Sequence, residues 1–314
     1  MNRRGIVLIE VVVVIAVVGM LAALLVVGVM AARERSRRLT CLNNLRQIGL
    51  ALQMHISEKG GLPRGNNRGS SSFQTMLLPY LDQRPTYNAI NFSAGAFPRG
   101  VVDSLANQTV STTALGVLLC PADRGVAEGS GATNYAGNRG QGVQQYGYDG
   151  AFAEAKTLLG PAAFQDGTST TLAVAEWVLG VALSQQKVDR DPRRVTFDTP
   201  QPFAAPTELE QFAAACRDLD PAPSRVNRLQ KGENWITGEF GYTLYNHTLS
   251  INERTCTNAC LIQDGAWTAG SLHPGGANVL FVDGHALFLR DRIALPIWRA
   301  LGSRGGGEVV GSLD

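Results

Sequence analysis

Apolar positions are distributed very unevenly along the chain. Residues 6–32 are apolar except for Glu10, Gly19 and Gly28, whereas later segments alternate short apolar runs with Gly, Pro, Asn and Asp. An unbroken run of that kind predicts one membrane-spanning helix over 6–32. At about 1.5 Å per residue it is about 40 Å long, more than the roughly 30 Å hydrocarbon core, so part of it projects beyond the bilayer. The pattern then changes period. Leu39, Leu42, Leu45, Ile48, Leu52 and His55 recur at steps of three and four, which predicts that the helix continues with one apolar stripe facing a sheet. Gly60-Gly61-Leu62-Pro63 ends it.

Beyond that point the signals are short. A polar loop over 66–72 precedes a short helix from Phe73 to Leu81, ending near Asp82. Val117 to Cys120 reads as a strand stopped by Pro121, and Thr133 to Asn138 as a turn-rich loop. Asp166 to Ser169 is a turn before a strand from Thr170 to Glu176. Residues 185–225 are polar and irregular, with a helical stretch near Leu209 to Cys216, and read as an insertion without a core of its own. Ala277 to Val282 and His285 to Leu289 flank Asp283-Gly284, the signal for a hairpin with a two-residue type I′ turn.

Composition adds that 35 glycines and 14 prolines suit strands and loops better than a helical bundle. A net charge of +2 gives no electrostatic case for nucleic acid. The basic residues Arg33, Arg35, Arg37 and Arg38 cluster where the apolar run would leave a membrane. The cysteines are Cys41, Cys120, Cys216, Cys256 and Cys260, an odd number that leaves one unpaired or paired with another chain. Cys256 and Cys260 are close enough in sequence to form a disulfide, and no second Cys-x3-Cys supports a zinc site there.

Glu10 is the informative position in the apolar run. A carboxylate in lipid costs about 2.5 kcal/mol or more. Cleavage after Gly5 would make Ile6 the new N-terminus and Glu10 the fifth mature residue, placed to neutralise the α-amino group of a neighbouring subunit. The basic leader Met1 to Gly5, the apolar segment and Glu10 together resemble the type IV prepilin signal. The resemblance implies a prepilin peptidase that cuts between Gly5 and Ile6 and methylates the new amine. Ile6 stands where such proteins usually carry Phe, and Val7 where they usually carry Thr. A cleaved secretory signal is disfavoured by the length of the apolar run. An ordinary signal anchor is the competing reading. The arginines after the helix would by themselves favour the reverse orientation, whereas the prepilin pathway places the leader inside.

The resemblance continues along the chain. Cys41-Leu42-Asn43-Asn44-Leu45-Arg46-Gln47-Ile48-Gly49 follows the anchor, then Leu119-Cys120-Pro121-Ala122-Asp123, Thr133-Asn134-Tyr135, and Asp166-Gly167-Thr168-Ser169-Thr170-Thr171 ahead of Glu176. His273 is followed by nine residues and Asp283-Gly284, and Trp298-Arg299-Ala300-Leu301 and Gly306-Gly307-Glu308-Val309-Val310 come near the end. In order and spacing these resemble the large group of prepilin-like proteins with a C-terminal His-x9-Asp-Gly motif, whose main domain has no assigned function. The group implies a location and a processing route, but no activity.

Candidate chemistry is sparse. His247, His273, Asp283 and His285 are metal-ligand types, but His273 precedes a Pro-Gly-Gly turn and Asp283 sits at a hairpin tip, so no metal site is assigned to them. Calcium is the ion that suits an oxygen-rich extracytoplasmic site, with Asp166, Asp264 or Asp283 as candidates. No hydrolase, phosphate-loop or dinucleotide motif occurs, and Ser130 and Cys120 read as solvated and buried or disulfide-bonded, so no enzyme is expected. Tyr135, Tyr146, Tyr148, Trp235, Tyr242 and Tyr245 would form either a glycan-binding surface or a β-rich core, the core being the simpler reading.

The expectation is an α+β, pilin-like fold: a leader over 1–5, a transmembrane helix over 6–32, and an extracytoplasmic domain over 33–314 in which the helix packs on an antiparallel sheet with long loops. The expected role is structural, in the inner membrane, with prepilin peptidase as processing partner. Subunits of the same or related kind would assemble into a pilus or a type II secretion pseudopilus. The alternative is a tethered binding protein for glycan or calcium that never polymerises.

Overall fold

The structure is a computed structural model. It describes residues 3–67, 70–94, 104–123, 131–142, 148–152, 158–180, 191–203, 208–220, 231–259 and 261–308. Helix α1 runs without a break from Arg3 to Lys59, 57 residues, which at about 1.5 Å each is roughly 85 Å. Gly60 ends it in the left-handed conformation (φ 82°), its N–H donating to the Ile56 carbonyl at 2.8 Å.

Among the described residues the strands are β1 (Tyr135–Asn138), β2 (Leu172–Glu176), β3 (Thr196–Asp198), β4 (Leu244–Tyr245), β5 (Thr255–Asn258), β6 (Leu261–Ala266), β7 (Gly276–Phe281) and β8 (Ala286–Arg290). They form a five-stranded sheet, β4-β1-β2-β7-β8, and a three-stranded sheet, β3-β5-β6. Pairings are antiparallel except β1 with β4 and β3 with β5, so both sheets are mixed. The C-terminal half of α1 lies across β7 and β8. Its buried positions are Cys41, Asn44, Leu45, Ile48, Gly49, Ala51, Leu52 and His55. The fold is thus α+β, with a long N-terminal apolar helix packed on a sheet as in pilin-like folds.

The stripe over 45–55 therefore faces the sheet as its spacing requires. Leu39 does not: it is 57 % exposed. It precedes Leu45 by six residues, about 240° around the helix, and so points away from the buried face. The β7–β8 hairpin forms in the expected place, with Leu280 opposite Ala286. Its turn differs. Positive φ is confined to Gly284 (95°), and the Phe281 carbonyl accepts from Gly284 N–H while Phe281 N–H donates to His285. This is a three-residue loop closed by a glycine bulge, not a two-residue type I′ turn.

Two loop and strand expectations are reversed. Residues Gly116–Leu118 form a 3-10 turn, and the chain that follows is tied by Asn134, whose N–H reaches the Leu118 carbonyl and whose Oδ1 accepts from Cys120 N–H, rather than by a strand ladder. Conversely, Tyr135–Asn138 is a fully buried strand between β2 and β4. Its polar Asn138 is tolerated because Nδ2 donates to the carbonyls of Leu172 (2.7 Å) and Gly302 (2.8 Å).

The 185–225 segment also does more than expected. Val195, Phe197, Phe203, Phe212, Ala213, Cys216 and Leu219 build a second core, completed by Leu249, Cys256 and Ala266 from outside the segment. The disulfide in this core joins Cys216 to Cys256. The expected Cys256–Cys260 pair is thereby excluded, since Cys256 faces the helix Leu209–Arg217; Cys260 lies outside the described residues. A second disulfide, Cys41–Cys120, joins α1 to the loop after the 3-10 turn.

Candidate functional site

Several of the segments that carry the family resemblance, dispersed over the sequence, meet at the seam between α1 and the large sheet. Cys41 on α1 is bonded to Cys120. The Tyr135 hydroxyl donates to the Cys41 carbonyl at 3.2 Å. Asn44, one turn on, donates to the Leu119 carbonyl at 2.9 Å. Asp123 holds the other end of that loop, accepting from Asn134 Nδ2 (3.0 Å), Leu179 N–H (2.8 Å) and Arg194 (2.6 Å).

The two ends of the His-x9-Asp-Gly motif bracket β7 and clip it to α1 at separate points. His273 is buried just before β7, with Nδ1 2.6 Å from Glu34 Oε1 on α1 and Nε2 3.5 Å from Cys120 Sγ. At the far end, Gln53 on α1 donates to the Val282 carbonyl at 2.6 Å. Gly49 lets the helix approach the hairpin closely: a Cβ there would lie 2.8 Å from Leu280 Cδ1 and 3.0 Å from the Gly284 carbonyl. Asp283 accepts from its neighbour His285, whose ring Nδ1 is 2.6 Å away, and donates its N–H to Thr168 of the Asp-Gly-Thr-Ser turn. The fixed spacing of the motif is thus the length of one strand lying along one helix.

Of the four residues of metal-ligand type, Asp283 and His285 pair with each other at the hairpin tip and His273 lies at the other end of β7. His247 is buried elsewhere, its ring stacked on Trp298 with centroids 4.0 Å apart. Sequence reasoning missed a different cluster. Cys41, Cys120, Glu176 and His273 are all buried, with their donor atoms within 4.8 Å of one another. Glu176 closes β2, and its two carboxylate oxygens accept from Asn278 Nδ2 (2.9 Å) and N–H (3.0 Å) on β7. Burial pushes its carboxyl above the usual range, opposed by the Asn278 hydrogen bonds. Cysteine, histidine and carboxylate donors are those that hold zinc. The signal for this cluster lay in the resemblance blocks, four of which contribute one member each.

Of the calcium candidates, Asp166 is engaged by the N–H groups of Gly306 and Gly307 at 2.8 Å each, and Asp283 by His285. Asp264 accepts from Asn258 through Oδ2 (2.9 Å), while its buried Oδ1 has no hydrogen-bond partner. Burial pushes Asp264 up to about 7. The aromatic residues are core, as the simpler reading has it: Tyr135, Trp235 and Tyr245 are fully buried and Tyr148 and Tyr242 nearly so, which removes the alternative of a glycan-binding surface on them; Tyr146 lies outside the described residues.

The N-terminal positions occupy the other end of the molecule. Gly5 and Ile6 lie in the first turns of α1, and Glu10 is exposed on its bare part. The helix is long and apolar enough to cross a membrane, and none of its most apolar stretch is buried by the head.

Fold and seam together define a class: a single apolar helix clipped along its second half to a disulfide-bonded α+β head. The chain belongs to the family described as protein of unknown function (DUF1559), whose model matches residues 30–295. No curated protein and no solved structure matches the chain.

Proposed function

We propose that this protein is a membrane-anchored, pilin-like structural subunit. In this reading prepilin peptidase cuts after Gly5 and methylates Ile6, the helix holds the mature chain in the inner membrane with its head outside, and subunits assemble through α1 into a pilus or pseudopilus. The observation that carries the reading is the division of α1, bare and apolar around Glu10 but buried in the head from Cys41 onward. Gly28, Ala31, Ala32 and Ser36 line a shallow groove on α1 together with Arg35, Leu39, Thr40 and Asn43, and the small residues among them favour close approach of a second helix. Leu50 and Met54 continue an apolar outer face alongside the head, 66 % and 53 % exposed. Disulfides belong to an oxidising compartment, in keeping with an extracytoplasmic head.

The test is mass spectrometry of the mature N-terminus from a host with prepilin peptidase. A start at N-methyl-Ile6 is expected, with G5W blocking cleavage and Glu10→Val permitting it while abolishing helix-to-helix crosslinks. An intact Met1, or cleavage beyond Ala32, overturns the reading. A second reading, a tethered monomer binding calcium, draws on the unpartnered Asp264 Oδ1. It requires that no crosslinks form through α1 even in the wild type, and that calcium raise the melting temperature of the wild type but not of Asp264→Asn.

A further inference from the structure

We propose that Cys41, Cys120, Glu176 and His273 form a site for one zinc ion, open when the two cysteines are thiols and closed when they are joined as the disulfide. The four donor atoms lie within 4.8 Å of one another in a fully buried setting. Bonds of 2.0–2.3 Å place the ligand atoms of a tetrahedral zinc site about 3.3–3.8 Å apart, so once the S–S bond opens the two sulfurs need to move apart to that spacing and the other donors to draw in by about 1 Å at most. They come from four parts of the fold, namely α1, the loop after the 3-10 turn, β2 and the turn before β7.

The surroundings match those of a metal centre. Glu34 accepts the Nδ1 proton of His273, which leaves the Nε2 lone pair facing Cys120 Sγ. A carboxylate behind a ligating histidine fixes its tautomer and raises its basicity. Asn278 orients Glu176 by donating to both carboxylate oxygens, which favours the charged form that a metal ion needs. Glu176 is a buried acid faced by His273. A divalent cation held between them would balance its carboxylate charge. Two thiolates, an imidazole and a carboxylate suit borderline zinc rather than calcium or magnesium.

The redox step balances with a phosphine or thiol reductant. A phosphine takes the oxygen of one water, becomes a phosphine oxide and leaves two thiols on the protein. Zinc then displaces both thiol protons to solvent. In reverse, a disulfide oxidant takes two electrons from the thiolates, re-forms Cys41–Cys120 and expels the ion, while two protons from solvent complete the oxidant's own thiols. Either state ties α1 to the head at the same place, so the joint would survive reduction wherever zinc is present.

The test uses the full chain in detergent, reduced with a phosphine and titrated with cobalt(II), then zinc. The expected result is one cobalt per chain with a thiolate-to-cobalt charge-transfer band and tetrahedral ligand-field bands, displaced by zinc and missing from the oxidised protein. C120S should abolish the band. H273Q should weaken binding at least 10-fold and E34Q about 10-fold. C216S should leave the band intact, which assigns it to this site rather than to the second thiol pair. H273Q and E34Q keep both disulfides and fold before reduction, so they carry the test if C120S does not fold. The proposal is overturned if the reduced, folded chain shows no band, if the band is indifferent to H273Q and C120S, or if reduction unfolds the head and zinc does not restore it.

Discussion

The two halves of α1 are one helix by backbone and two different objects by environment. From Ile9 to Arg33 every side chain is exposed, and large apolar residues such as Leu24 and Leu25 stand 67 % and 68 % exposed. From Cys41 to His55 the same helix buries Leu45, Ile48 and Leu52 completely. Continuity therefore transmits position from the anchor to the head, but not stability. The anchor half needs an apolar solvent or other helices. The head half owes its place to β7, β8 and a disulfide.

Acid should separate the halves most strongly. His247 is fully buried, its Nδ1 2.7 Å from the Trp298 carbonyl and its Nε2 3.0 Å from the Tyr245 hydroxyl. Burial pushes its imidazole down to about 3, against the raising effect of the Trp298 carbonyl. Between that value and the ordinary value near 6.5, the unfolded chain takes up a proton that the native one refuses. Stability is therefore present above the window and lost as pH falls through it, by about 5 kcal/mol in all. Asp264, raised to about 7 mainly by burial, acts oppositely, its contribution being present at low pH and lost as pH rises through 7. The clean readout is the difference between wild type and His247→Phe, which should grow steadily from pH 6.5 downward in denaturant titrations followed by tryptophan fluorescence. Trp177, Trp235, Trp267 and Trp298 are all buried and report on the head alone. Far-UV circular dichroism in detergent should keep the helical signal of the anchor after that fluorescence transition. Parallel pH curves for the two proteins would remove His247 as the cause.

Core truncation comes next in size. Leu45→Ala leaves a cavity against the sheet and should cost 2–5 kcal/mol (an order-of-magnitude range) of head stability. Leu24→Ala removes as many atoms from the same helix and should change it by less than about 0.5 kcal/mol. Equal effects at both sites would mean that the anchor half packs on the head after all, and the distinction between the halves would fail.

The same contrast explains how much of the molecule was legible in the sequence. Periodicity read the apolar run, the stripe over 45–55, β2 and the β7–β8 hairpin, because each is decided by residues adjacent in the chain. It misphased Leu39, which shares the leucine spacing but not the buried face. It missed β1 because Gly137 and Asn138 read as turn residues, and only distant partners, the Leu172 and Gly302 carbonyls, make Asn138 acceptable in a core. The second core escaped notice because Leu249, Cys256 and Ala266 complete it from elsewhere. Disulfide pairing and the Cys41–Cys120–Glu176–His273 cluster failed for the same reason: proximity is set by distant parts of the fold, the helix Leu209–Arg217 packing on β5 for Cys216–Cys256 and α1 lying on the sheet for the cluster. The resemblance blocks nevertheless named every member of that cluster without showing that they meet.

The smallest expected effect marks where the bare half ends. Arg33, Arg35, Arg37 and Arg38 look equivalent in sequence, a basic cluster at the membrane exit. Only Arg38, among the described contacts, has its guanidinium over a head aromatic, 3.5 Å from the centre of the Phe288 ring on β8. A cation–π contact at such an exposed site contributes about 0.5–1 kcal/mol. Arg38→Ala should lower head stability by that amount, and Arg35→Ala by nothing measurable in the same denaturant titration. Lys at position 38 should recover part of the loss, since it keeps the charge but not the planar stacking. If Arg35→Ala and Arg38→Ala behave alike, the cluster acts only through its summed charge, and the boundary between the two environments of α1 moves up the helix to Glu34 and Cys41, where the His273 contact and the disulfide take hold.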